Sequence, residues 1–270
     1  MYYSNYCSPY QNSWHCLRQC FLLLLLLCAT KPVEVQSTPL VSHQWYRIRT
    51  PHFNILFPGH IQPEANRLAN IMEHLYLPVS KTLHAPPAKY SLVLTTNVAD
   101  SNGGTSFGPA RINLYTFPSQ GYSIAGSGSD WLNALVVHEF RHAVQFTKLS
   151  QHGFGEFFLE IASPLLVPIL GRIWLPHWFF EGDAVGIETS LTKGGRGRLP
   201  YFSRLYRANL LERGGFGYQK EVCGSFKHNS VGPYVLGYHL TTHLRRRYGA
   251  QALSDIMWYV AWGMPFPVAV

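Results

Sequence analysis

The sequence predicts an α+β domain, with a mixed sheet in the first half of the chain, two buried helices in the middle and a helical second half. Three observations carry this. Leu132, Leu135, Val136, Val137, Phe140, Ala143, Val144 and Phe146 spread apolar surface around most of a helix, the pattern of a helix enclosed within a domain. A second helical stretch, His177-Trp178-Phe179-Phe180-Glu181-Gly182-Asp183-Ala184, follows Pro176, a residue suited to a helix start. A third opens at Gly232-Pro233-Tyr234 and runs into Arg245-Arg246-Arg247-Tyr248-Gly249, its basic end placed where cations favour the helix dipole.

In chain order, a leader comes first. Residues 21–27 form a short apolar run, preceded by Arg18 and followed by Cys28-Ala29-Thr30, which fits a secretory signal peptide better than a membrane span. Residues 1–37 are therefore expected to be a leader cleaved between Ala29 and Ser37, and residues 38–270 a single domain. The expected location is secreted or periplasmic. The alternative is a membrane-anchored chain, held by an uncleaved leader or by lipid on Cys28, although Leu27 is bulky for that signal. Cys7, Cys16, Cys20 and Cys28 all lie in the leader, so only Cys223 remains and no disulfide framework is expected.

The roughly 230 residues after the leader are enough for one sizeable core. They contain no internal repeat. A formal charge of +8 is modest, and no nucleic-acid motif accompanies it, so no nucleic-acid partner is expected.

The chemistry concentrates in His138-Glu139-Phe140-Arg141-His142. Two histidines four apart stack on one helix face and can reach one metal ion. Glu139 sits about 100° further round, placed to take a proton from water without binding the metal. Ser127, Ser129 and Asp130 are N-cap candidates for this helix. Chance alone gives this pattern in roughly 2 of 100 chains of such composition, so the next segment decides. Zinc held by two histidines needs a third protein ligand. Glu181, followed by Gly182, is the candidate, the glycine letting its helix approach the first closely enough for the carboxylate to arrive.

The pair of motifs, H-E-x-x-H and then W-x-x-E-G-x-A, resembles the gluzincin zinc metallopeptidases, in which the glutamate before that glycine is the third ligand. The resemblance implies a zincin-like domain with His138, His142 and Glu181 as metal ligands, Zn2+ as cofactor and Glu139 as catalytic base. Residues 45–59 look like the opening strands of secreted peptidase domains that usually precede a TolB-like β-propeller. Residues 92–94, 100–104 and 111–115 look like their antiparallel sheet, whose edge strand borders the substrate cleft. The turn Gly195-Arg196-Gly197-Arg198 is similar too. Gly232-Pro233-Tyr234-Val235-Leu236-Gly237 resembles the P-Y-x-x-G segment of gluzincin aminopeptidases, which makes Tyr234 the candidate donor to the oxyanion. Asp183 and Glu188 are the nearest candidates to orient the ligands, against the blander reading of each as a solvated charge. His177, His239 and His243 are read as structural.

Departures from the pattern shape the functional expectation. Arg141 places a cation inside the motif, which opposes metal binding unless it pairs with a carboxylate or points to solvent. The spacer from His142 to Glu181 is roughly twice that of thermolysin-like relatives, which predicts an insertion over 143–175, read as a packed loop, a lid or a membrane-surface element. Asn102-Gly103-Gly104-Thr105-Ser106 lacks the glutamate with which the G-x-M-E-N loop of aminopeptidases binds a substrate amine, although Asp100 is close. The expected function is therefore zinc-dependent hydrolysis of a peptide or protein substrate, endopeptidase rather than aminopeptidase. The rival is a catalytically inactive, truncated peptidase-like fold that binds peptides or an envelope partner. The end of the chain at Val270, without a propeller, points to truncation and to an exposed apolar tail.

Overall fold

The computed structural model describes residues 44–99, 101–117, 131–153, 156–157 and 174–269. The expected leader with its cysteines, Asp100, the three cap candidates before Trp131 and nearly all of the apolar segment 154–173 lie outside them. The described residues all belong to one compact unit, His43–Val270.

Alternation builds the sheet. Phe53, Ile55 and Phe57 on β2 (Phe53–Pro58), Tyr90, Leu92 and Leu94 on β3 (Tyr90–Thr95), and Ile112 and Leu114 on β5 (Arg111–Tyr115) are buried, while most of the residues between them are partly exposed. Side chains alternate across a strand, so each strand delivers one apolar face to the core. With β1 (Trp45–Arg49) and β4 (Gly103–Ser106), the sheet has the order β1-β2-β3-β5-β4. β1 pairs with β2, and β4 with β5, in antiparallel fashion, whereas β2 with β3 and β3 with β5 are parallel. The sheet is mixed, as expected, and within residues 92–115 the antiparallel expectation holds for β4 with β5 and is corrected for β3 with β5. Strands 2 and 3 are joined through helix α1 (Gln62–Ser80), and a parallel pair needs such a crossover.

Eight α-helices are present among the described residues, which makes the unit α+β. The helix carrying the histidine pair, α2 (Trp131–Ser150), is buried along almost its whole length. Phe140 meets Phe53 edge-on at 5.1 Å and lies 5.9 Å from Tyr76 of α1, so α2 is clamped between sheet and α1. Burying one such side chain contributes about 1.5–3 kcal/mol. The helix runs on to Ser150, so the predicted insertion does not begin until after its last two turns.

Helix α3 (His177–Leu191) packs beside α2 and is buried at nearly every position. The glycine of Glu181-Gly182 acts differently from expectation. A Cβ on Gly182 would stand 2.1 Å from the backbone of Gly237, and one on Gly237 would stand 2.0 Å from the Trp178 carbonyl oxygen. The two glycines therefore set a close crossing between α3 and a later helix, α6 (Gly232–Tyr248), and Gly182 does not face the histidine helix. Before α6 come α4 (Arg204–Arg213) and α5 (Tyr218–Cys223), and after it α7 (Ala252–Ala261) and α8 (Phe266–Ala269). The C-terminal stretch is not a wholly exposed apolar tail: Phe266 meets Trp178 and Phe179 edge-on, while Val268 is exposed. Cys223 is free and exposed. No described helix is long and apolar enough to cross a membrane.

Candidate metal centre

Residues 138 and 142 lie one turn apart on α2, and Glu181 comes from the second turn of α3. Their side chains converge. His138 Nε2 is 3.2 Å from His142 Nε2 and 3.1 Å from Glu181 Oε2, and His142 Nε2 is 3.5 Å from the same oxygen. One ligand atom from each of the three residues lies within 4.8 Å of the others, and His138 and Glu181 are buried. This group could hold a metal ion.

The protonation pattern supports a cation there. Glu188 Oε2 lies 2.8 Å from His138 Nδ1, and a carboxylate only accepts, so that nitrogen carries the hydrogen. Arg196 Nη2, 2.9 Å from the same ring nitrogen, also donates to Glu188 Oε2 at 2.9 Å, so both donors end on one oxygen. Gln145 donates its amide nitrogen to the Phe180 carbonyl and to Asp183, which turns its oxygen toward His142 Nδ1 at 2.8 Å. In neutral rings both Nε2 lone pairs then face each other and a carboxylate. Electron pairs so arranged need either protons or a metal between them. Burial opposes the charged imidazoles, yet Glu181 pushes His142 up to about 9, and hydrogen bonds to Glu181 and Glu188 raise His138. Burial likewise opposes ionised Glu181, but His142 and hydrogen bonds from three histidines hold it far below the ordinary carboxylate range.

Glu139 is held beside the ligands. The Thr105 hydroxyl lies 2.7 Å from the Glu139 carbonyl oxygen and 2.9 Å from Oε2, fixing backbone and carboxylate together. Gly103 on the same strand makes room, since a Cβ there would stand 2.9 Å from Glu139 Cγ. A cavity of about 460 Å3 is lined by these residues, His138, His142, Glu181, Tyr234 and residues 102–105 at the edge strand β4. Tyr234, 38% exposed in the first turn of α6, lies with its ring 6.2 Å from that of His138, and the Arg196 guanidinium covers it at 5.1 Å. Burial, reinforced by Glu181 and partly offset by Arg196, pushes the phenol up to about 12, so it is a neutral donor at ordinary pH.

Arg141 turns away from the ligands. It is fully buried and donates Nε to Asp183 Oδ2 at 2.8 Å and Nη2 to Asp183 Oδ1 at 3.1 Å and Thr82 Oγ1 at 2.8 Å. Of the two fates open to it, pairing with a carboxylate is the one adopted. Asp183 and Glu188 are also not solvated charges: both are buried, Glu188 directly behind His138 and Asp183 behind Gln145. Arg245, expected to serve the end of its helix, instead reaches Asp183.

The structure thus brings together all five residues singled out from sequence, His138, Glu139, His142, Glu181 and Tyr234. Sequence reasoning missed Thr105, Gln145 and the role of Arg196, and it set His177 aside. His177 Nε2 lies 3.0 Å from Glu181 Oε1 and lines the same cavity. Arg196 lay within a turn already singled out, and Gln145 sits three residues after His142 on the same face, so both left a signal. Thr105 lay in the stretch placed at the cleft, but its hold on Glu139 left none. His239, by contrast, hydrogen-bonds Ser203 at 3.1 Å and stacks on Tyr206. Scanned against protein-family models, the chain matches none, and a search of curated proteins finds no match.

Proposed function

We propose that this chain is a zinc-dependent peptidase of zincin-like fold, acting on internal bonds of an extended peptide or protein. The observation that carries the reading is the convergence of His138, His142 and Glu181 beside a Glu139 that is fixed but does not join them. A zinc ion held by those three would supply Lewis-acid polarisation and make water a nucleophile at neutral pH. Glu139 would take the proton of the attacking water and return it to the leaving amine. Tyr234, across the cavity, would donate its phenolic hydrogen to the developing oxyanion. Thr105 holds Glu139 in place for both transfers.

Two further features support an endopeptidase. β4 is a sheet edge along the cavity, and an exposed edge can take an extended chain as an added strand. Among the described residues lining the cavity, Glu139 and Glu181 are the sole carboxylates, and neither is a separate acid to hold a substrate amine; Asp100 lies outside the described residues. The electrostatic objection raised by Arg141 is weakened, because its guanidinium turns away from the histidines and pairs with Asp183.

The test joins metal content with cleavage. Purified chain should carry about one zinc ion and cleave an unstructured protein, Glu181→Ala should bind zinc poorly, and Glu139→Gln should bind it without cleaving. Folded wild-type chain without zinc, or equal cleavage by wild type and Glu139→Gln, would overturn the proposal.

A further inference from the structure

A separate cavity of about 740 Å3 opens between the C-terminal end of α1 and the last two turns of α3, and it shares no lining residue with the cavity at the metal centre. That volume is within the roughly 300–1,000 Å3 of small-molecule sites. Its walls are largely apolar, formed among others by Leu77, Ile187 and Leu191, and Leu77 is left 68% exposed. Lys81 and Arg245 also line it, and among the described residues no carboxylate does.

Beneath this wall lies an unbalanced charge. Arg141 and Arg245 both bond to Asp183, and among the described residues no other carboxylate pairs with either. Arg141 is otherwise satisfied by the Val79 carbonyl and the Thr82 hydroxyl. Arg245 is not: its Nε is buried without an acceptor, and Nη2 is committed to Asp183. Buried polar groups are nearly always partnered, so this orphan calls for an explanation. Two guanidiniums on one carboxylate leave a net positive charge at the foot of an apolar cavity, with Lys81 adding to it.

We propose that this cavity binds an amphipathic monoanion, a carboxylate on a hydrocarbon chain, with its head at Arg245 and Lys81 and its chain along Leu77, Ile187 and Leu191. A guanidinium suits a carboxylate because the two planar groups match through paired hydrogen bonds. A bare inorganic anion would satisfy the charge and leave the apolar walls wet. A neutral chain would do the reverse. The site is independent of the metal-centre reading.

Calorimetric titration of the full chain with decanoate tests this. Decanoate should bind at least about tenfold tighter than decanol. Arg245→Gln should lose about tenfold in affinity, while Arg246→Gln, on the exposed neighbour, should bind as wild type. Because Arg245 also supports Asp183, Leu77→Glu serves as an independent variant: it changes an exposed wall residue, places a negative charge at the site, and should lose a similar factor. Equal binding of decanoate and decanol, wild-type affinity in both Arg245→Gln and Leu77→Glu, or no binding of decanoate to the folded chain would overturn the proposal. So would inorganic phosphate displacing decanoate at equal concentration.

Discussion

Two buried polar clusters lie on either side of one turn of α2, and they solve the same problem in opposite ways. Around Asp183 the charges are supplied by the chain: two guanidiniums and an amide surround one carboxylate. Around Glu181 the chain supplies acceptors, two imidazole nitrogens and a carboxylate oxygen, all turned toward one another. A cluster whose members bond one another ties elements of the fold together, here with Arg245 Nε left over. One whose lone pairs converge on a single point is built for a guest. Gln145 joins the two, bonding Asp183 with one end and His142 with the other.

The sharpest way to break this contrast is at Glu139. If the Glu181 cluster is the reactive one, Glu139→Gln should lower peptide cleavage by about 10²–10⁴-fold while zinc content and stability stay near wild type. Cleavage is to be followed on an unstructured protein, with metal counted by elemental analysis. A loss of zinc in this variant would mean that Glu139 belongs to the ligand set.

Asp183→Asn attacks the other cluster and should have the reverse signature. Breaking a buried ion pair from one side leaves charges uncompensated, here two guanidiniums, at about 3–5 kcal/mol. The urea midpoint should fall accordingly with an unchanged slope, and the zinc count should stay near one. Arg141 and Arg245, against the opposing effect of burial, hold the Asp183 carboxyl well below the ordinary range. A depressed native pKa gives stability that is present above the unfolded value, about 3.9, and is lost as pH falls below it toward the native value. Wild-type stability should therefore decline below about pH 4 more steeply than that of Asp183→Asn. If the variant instead loses zinc at undiminished stability, the division into structural and guest-binding clusters fails.

The contrast also explains what was legible in the sequence. The ligand cluster could be read because helical periodicity fixes where residues 138, 139 and 142 point, and the resemblance of the Glu181 segment pointed to the remaining ligand. The apolar periodicity of α2 translated directly into burial. The Asp183 cluster could not be read, since its partners come from α2, α6 and the end of α1, and only the fold decides which charge meets which. Gly182 shows the same limit: its need for close approach was visible, but the neighbour was α6 rather than α2. The direction of β3 against β5 was misjudged because it was taken from the resemblance, and alternation, which marks a buried face, carries no information about polarity. Thr105 lay in the stretch already placed at the cleft, but its hold on Glu139 could not be read, for that arises from β4 lying against α2.

Tyr234 sharpens the comparison on the side of the Glu181 cluster. Removing its hydroxyl in Tyr234→Phe should lower kcat about 10²–10³-fold, with KM and zinc content little changed, since a donor to developing charge acts on the transition state. A change confined to KM would make Tyr234 a substrate-binding residue.

The smallest effect is expected where the two kinds of cluster meet in one residue. Glu188 is bonded by Arg196 through Nε at 2.7 Å and through its backbone N–H at 3.2 Å, yet its other oxygen holds the His138 hydrogen. It belongs to a self-neutralised pair and orients a ligand at once. Glu188→Gln keeps the shape and one acceptor but loses the charge that fixes His138 with its free Nε2 toward Glu181. Zinc affinity should fall about 10–100-fold, the range for partners of ligating histidines, measured by competition with a chelator. If the chain is the proposed peptidase, its metal-saturated form should retain most of its kcat, because neither Glu139 nor Tyr234 bonds to Glu188. Arg196 complicates the result usefully: left without its carboxylate, it keeps its contact over the Tyr234 ring, so a fall in kcat at saturating zinc would show that the Arg196 and Tyr234 contact, rather than His138 alone, depends on this pair.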